Sequence, residues 1–257
     1  MKRGLVAWYD GIDNAGVSQH TNAPTAWKDL AGTNDLPVVG ELLFEENHGV
    51  FAGRGYCYGR APDLARLIES RTGTIEVVTR IGNYVESTDR HLLSVGFKAS
   101  NQRGFSLRPN QKDNSVIGCC DYMRADHNLV ALPSTAGEVN THTVIMDGTS
   151  LRFAQNGMRS AVTSSRGNLA AGTSDLLSIG SSEIGGKIFK GEVYAVRIYG
   201  RVLTDREIEL HRAIDLVRFG GRRFADVRPA VLPKGCHLSP DGETVVWGPT
   251  GLCVFIY

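Results

Sequence analysis

Residues 189–208, Phe189-Lys190-Gly191-Glu192-Val193-Tyr194-Ala195-Val196-Arg197-Ile198-Tyr199-Gly200-Arg201-Val202-Leu203-Thr204-Asp205-Arg206-Glu207-Ile208, decide the fold. In an extended chain Phe189, Gly191, Val193, Ala195, Arg197 and Tyr199 share one face, and Lys190, Glu192, Tyr194, Val196 and Ile198 the other. Both faces are largely apolar, which predicts a central strand covered on both sides. Thr204 and Glu207 then have capping-box spacing, and Leu203 with Ile208 that of a hydrophobic staple, so a helix begins there. Leu210, Ala213, Ile214 and Val217 give it one apolar stripe, and Gly220-Gly221 stop it.

The run F-x-G-x-V-x-x-V-R-I-Y-x-R-x-L-T-x-x-E-I resembles the closing strand and helix of concanavalin A-like, laminin-G-like jelly-roll domains. Two further segments carry the same resemblance. Gly4-Leu5-Val6-Ala7-Trp8-Tyr9-Asp10-Gly11-Ile12 with Trp27-Lys28-Asp29-Leu30-Ala31-Gly32 is similar to the start of such domains in bacterial surface proteins and bacteriophage virion proteins. There Trp27 and Asp29 are expected to pack and brace the first loop. Thr141 to Gly157 matches the family's meander, with Asp147-Gly148 and Asn156-Gly157 as tight-turn dipeptides between three strands. The resemblance covers roughly residues 4–219 and implies an all-β fold: an antiparallel two-sheet jelly-roll sandwich with short helices.

The rest of the chain fits that frame. Gly49 to Gly53 and Tyr56 to Tyr58 suggest a strand pair at a Gly-rich bend, and Pro62 to Ser70 a short helix. Thr74 to Ile81, His91 to Phe97, Arg103 to Arg108, Ser115 to Asp121 and Leu176 to Gly180 read as further strands. Residues 121–138 have no period and read as a long surface loop. Past Gly221 the composition changes, and three short strands separated by Ser239-Pro240-Asp241-Gly242 and Gly248-Pro249-Thr250-Gly251 predict a β-meander. The expected organisation is a jelly-roll domain over 1–219 and an appendage over 220–257. A sheet so small cannot hide its own apolar face. It must lean on the jelly roll or on another chain, and Trp247, Leu252, Val254, Phe255 and Tyr257 are expected at a contact with a second copy, with docking on the jelly roll as the alternative.

Composition narrows the function. A net charge of +1 with both signs interspersed offers no footprint for nucleic acid, and no apolar run reaches bilayer length. The five cysteines, Cys57, Cys119, Cys120, Cys236 and Cys253, make neither a zinc pattern nor a disulfide framework and read as buried thiols. With Met1-Lys2-Arg3 leading directly into a strand, they suggest assembly in a reducing compartment.

Sugar-cleaving relatives of the fold carry paired carboxylates on one strand, because hydrolysis needs one on each side of the scissile bond. Here Glu76 is followed by Val78 and Arg80 where its partners should stand, so no enzyme is expected and Glu76 reads as a salt-bridged or solvated strand residue. The resemblance also points to calcium. Asp10, Asp13 and Asn14 form one oxygen-rich cluster and Asp121 with Asp126 another, although turn chemistry explains both. No cofactor is expected, with Ca2+ at Asp10, Asp13 and Asn14 as the alternative. For a glycan, an aromatic with polar neighbours on a loop selects Tyr122, Arg124, Asp126 and His127. These readings imply a structural, decorating or fibre protein of a phage virion, assembled in the host cytoplasm. Its partners would be other virion proteins or itself, with a cell-surface glycan as its adhesion target. The alternative is a lectin-like module of a bacterial surface or secreted protein.

Overall fold

A computed structural model describes residues 3–82, 91–98, 103–110, 115–120, 130–132, 137–148, 150–159, 163–164, 175–182, 188–227, 236–238, 245–247 and 252–254. The strands of the first half are β1 (Leu5–Asp10), β2 (Ala26–Trp27), β3 (Leu36–Gly40), β4 (Leu43–Glu45), β5 (His48–Ala52), β6 (Gly55–Arg60), β7 (Thr72–Arg80), β8 (Leu93–Lys98), β9 (Arg103–Asn110) and β10 (Ser115–Cys120). Helix α1 (Pro62–Ser70) lies between β6 and β7. Then come β11 (Val130–Leu132), β12 (Val139–Asp147), β13 (Ser150–Gln155), β14 (Met158–Arg159), β15 (Thr163–Ser164), β16 (Leu176–Ile179) and β17 (Lys190–Tyr199). Helices α2 (Asp205–Arg218) and α3 (Phe224–Val227) precede β18 (Cys236–Leu238), β19 (Val245–Trp247) and β20 (Leu252–Val254). The chain divides into two compact units, residues 2–202 and 203–257.

The first unit is the jelly-roll sandwich. One antiparallel sheet has nine strands in the order β14-β13-β12-β7-β17-β5-β4, with β1 also on β17 and β15 on β13. The other has eight, in the order β11-β10-β9-β8-β16-β6-β3-β2. The decisive strand, β17, lies between β7 and β5 and is buried from Val193 to Tyr199. Val193, Val196 and Ile198 enter the core from it. From β7 come Ile75 and Val77, and from the facing sheet Leu93, Val95, Phe105, Leu107, Leu177, Ile179 and Cys57. A bulge between Val193 and Ala195 inserts Tyr194 into β17 and shifts the alternation read from the sequence by one residue.

Trp27 is fully buried in edge-on contact with Tyr9 and Phe44, and its Nε1 donates to Asp10 O at 3.0 Å. Asp29 Oδ1 accepts from Trp8 N and Ala31 N, both at 3.0 Å, and Oδ2 accepts from Asn34 N at 3.1 Å. The bracing expected of these two residues is thus present. In the meander Gln155 pairs with Met158, so Asn156 (φ 50) and Gly157 (φ 79) are the centre of the turn. Asp147 pairs with Ser150, which makes Asp147 the last strand residue and leaves the positive φ of 63 to Gly148. Cys57 is a buried free thiol, and burial pushes its ionisation up.

In the second unit the capping box is complete: Thr204 N donates to Glu207 Oε2 at 2.9 Å and Glu207 N to Thr204 Oγ1 at 3.3 Å. The buried positions of α2 are Ile208, His211, Ala213, Ile214 and Asp215, so two polar residues share the face read as apolar, while Leu210 and Val217 are half-buried. Strands β18, β19 and β20 form an antiparallel sheet with Cys236 opposite Trp247 and Trp247 opposite Leu252. Among the described residues no helix is long and apolar enough to cross a membrane.

Candidate functional site

Strand β6 and the residue before it read Arg54-Gly55-Tyr56-Cys57-Tyr58-Gly59-Arg60, the same in both directions. Alternation sends Cys57 into the core and leaves Arg54, Tyr56, Tyr58 and Arg60 on the opposite, outer face of the eight-stranded sheet. The two tyrosine rings are half-buried, their centroids 5.9 Å apart and their planes 36° from parallel. Burial and the neighbouring Tyr58 push the Tyr56 phenol up, so that ring stays a neutral hydroxyl at ordinary pH. Val39 stands opposite Tyr56 on β3, and Ser178 opposite Tyr58 on β16.

An ion pair closes each end of this ledge. Arg54 Nη1 meets Glu41 Oε2 at 3.3 Å, with side chains 74% and 76% exposed. Arg60 Nη1 meets Asp175 Oδ2 at 2.9 Å, with side chains 81% and 38% exposed. The two glycines hold the strand against β3: a Cβ on Gly55 would lie 2.5 Å from the Glu41 backbone, and one on Gly59 3.2 Å from Leu36 Cδ2. Beside the ledge, on the same face, Ser178, Ser94 and Ser106 pair across three strands as a row of small buried side chains. Ser94 Oγ donates to Ser181 O at 3.2 Å and lies 3.1 Å from His91 Nδ1. The ledge is an aromatic platform with polar ends, the combination that recognises sugars: ring faces pack on C–H groups while charged groups address hydroxyls.

The nine-stranded sheet carries two other polar groupings on its outer face. Glu76 Oε2 accepts from Arg197 Nε at 2.9 Å, both side chains being only 4% exposed. Held there, Glu76 is withdrawn from solvent. At the β17 bulge, Glu192 Oε2 accepts from Arg80 Nη1 at 2.9 Å and from the Tyr194 hydroxyl, and lies 3.6 Å from His48 Nε2. Glu45 Oε2 approaches the same nitrogen at 3.5 Å, and the His48 and Tyr194 rings are 4.8 Å apart. Desolvation lowers the His48 pKa, with the carboxylates of Glu192 and Glu45 acting against it.

Tyr122, Arg124, Asp126 and His127 lie outside the described residues, as do Asp121, Phe255 and Tyr257. Trp247, Leu252 and Val254 lie on β19 and β20. In the first loop Asp10 Oδ1 accepts from Ile12 N at 3.0 Å and Asp13 Oδ1 from Gln19 N at 2.9 Å. Asn14 Nδ2 donates to Thr21 O at 2.7 Å while its Oδ1 accepts from Thr21 N at 2.9 Å. These are loop-bracing bonds. Among the described residues no group of three or more His, Cys, Asp or Glu is placed to hold a metal ion. The sequence reading passed over the ledge, although a period-two Arg-x-Tyr-x-Tyr-x-Arg around a core cysteine was there to be read.

A comparison with curated proteins returns no match. Solved structures do match. Domain 4 of an extracellular arabinanase from Geobacillus stearothermophilus, in complex with arabinotriose, aligns at 15% identity and a TM-score of 0.60, over 79% of this chain and 96% of that one. Trypanosoma rangeli sialidase in complex with sialic acid aligns at 16% identity and 0.63, over 84% of this chain. The binding domain of botulinum neurotoxin DC in complex with SialylT aligns at 12% and 0.63, over 82%. This chain spans only 34% of the sialidase and 51% of the neurotoxin domain. At such identities the likeness is one of fold, and that fold is lectin-like. The profile of the concanavalin A-like lectin/glucanases superfamily matches residues 54–209, from Arg54 at the start of the ledge into α2. The chain belongs to that superfamily.

Proposed function

We propose that this protein is a non-catalytic carbohydrate-binding module whose sugar-stacking surface is the Tyr56–Tyr58 ledge. The observation that carries the reading is the pair of half-buried rings, 5.9 Å apart, on a sheet face flanked by exposed ion pairs. An arabinotriose complex in one structural neighbour and a sialic acid complex in another support a glycan as the ligand class. The non-catalytic reading rests on β7, where Glu76 is bound to Arg197 and Val78 and Arg80 stand where a second carboxylate would be needed. An extracellular or cell-surface setting accords with the extracellular enzyme to which one matched domain belongs.

Glycan-array binding tests the site. Tyr56→Ala and Tyr58→Ala each lower binding, roughly tenfold for the loss of one stacked ring, with the melting temperature little changed. Undiminished binding by the double variant removes the ledge. Loss of binding in Tyr122→Ala and Arg124→Ala alone would place the site in the 121–129 segment instead.

A second reading, a decorating or fibre protein of a virion that binds host glycan with the same surface, rests on the opening motif's resemblance to virion proteins and on the separate three-stranded sheet β18–β20. Capsid or tail genes beside the coding gene would favour it, and transporter or glycosidase genes the surface-module reading.

A further inference from the structure

We infer that the ligand of this surface is a linear acidic oligosaccharide, one bearing uronate-type carboxylates, lying along β6 and gripped at its ends by Arg54 and Arg60. The inference rests on the glycan-binding reading and adds the ligand's charge and direction. Arg54, Tyr56, Tyr58 and Arg60 stand at every second position, so they form one stripe on the outer face. From Arg54 to Arg60 the stripe is roughly 20 Å long, enough for several sugar rings. A ligand lying across the strands would leave the tyrosines for the buried serine row, whereas one along β6 meets half-buried or exposed groups throughout.

The arginines are held so that they can be recruited. Each guanidinium gives one nitrogen to one carboxylate oxygen, and both arginines are largely exposed. Exposed pairs of this kind contribute little to stability, so a ligand carboxylate can enter beside or in place of Glu41 and Asp175. The unused N–H groups of each fork suit a planar carboxylate bidentately. The stripe's palindrome presents an arginine at either end, which admits a chain of repeating acidic units in either polarity.

Isothermal titration with an oligogalacturonate and with its fully methyl-esterified counterpart tests this. The acidic oligomer is expected to bind roughly tenfold tighter or more, and the difference shrinks as salt is raised. Arg54→Gln and Arg60→Gln keep hydrogen-bonding capacity without charge and should each lower the acidic oligomer's affinity more than the neutral one's, erasing most of the preference. Equal affinity for the two oligomers, with binding still lost in Tyr58→Ala, overturns the acidic ligand and leaves the glycan reading standing. Failure of both oligomers and of a neutral arabino-oligosaccharide to bind overturns both. Tighter binding of single-stranded DNA than of the oligogalacturonate would show that the stripe reads a nucleic acid backbone, and would likewise overturn the inference.

Discussion

His142 shows how much of this sandwich depends on single polar groups placed inside it. It stands opposite Val77 and Gln155, and its Nε2 meets Thr79 Oγ1 at 3.0 Å. Burial, partly offset by the hydrogen bond with Gln155, pushes its pKa down to about 4. The folded protein therefore resists a proton that the unfolded chain accepts near 6.5, and stability falls as pH drops from about 6.5 towards 4, by on the order of 3 kcal/mol at the acid end. Urea denaturation of His142→Gln at pH 7 and pH 4.5 should show a smaller loss on acidification than the parent; an identical loss would contradict this assignment. Glu76 and Arg197 pose the complementary case. Truncating one member strands a buried charge, so Arg197→Met should cost about 3–5 kcal/mol, and Glu76→Met added to it should restore much of that. If the double variant is no more stable than the single one, the pair does not act as a unit.

At the scale of elements, β6 is set by what its glycines allow. Gly55→Ala drives a Cβ to 2.5 Å from the Glu41 backbone, which must move, and should cost about 1–3 kcal/mol. Gly59→Ala meets Leu36 Cδ2 at 3.2 Å and Asp35 O at 3.3 Å, looser than the contact at Gly55, and should cost less in a thermal melt. Helix α2 depends on Thr204, whose replacement by Ala should cost about 1 kcal/mol by removing the hydroxyl that Glu207 N donates to. These elements were legible because local rules state them: the capping box at Thr204 and Glu207, the Asn156-Gly157 turn, and the doubly apolar run of β17 all stand where the sequence put them. The bulge at Tyr194 was not legible, because an added residue follows from the partner strand's register and leaves no mark in a single sequence. The buried His211 and Asp215 of α2 were missed for a related reason, since tertiary burial overrode the polarity that suggested solvent. The ledge escaped because two tyrosines beside a cysteine read equally well as core until the register assigns them a face.

For the whole molecule, the match from Arg54 to residue 209 and the two antiparallel sheets make the jelly roll secure, while self-association is a separate matter. We propose that β18–β20 serve a contact between copies. Light scattering at micromolar concentration should then give a mass above that of one 27.9 kDa chain, reduced by Leu252→Asp, and a monomer would remove the proposal. The central claim is that sugar lies on β6, and the most direct measurement is a crystal structure with an oligosaccharide soaked or co-crystallised. The account predicts density for sugar rings stacked on Tyr56 and Tyr58, running between Arg54 and Arg60. Sugar bound elsewhere with those rings bare would contradict it.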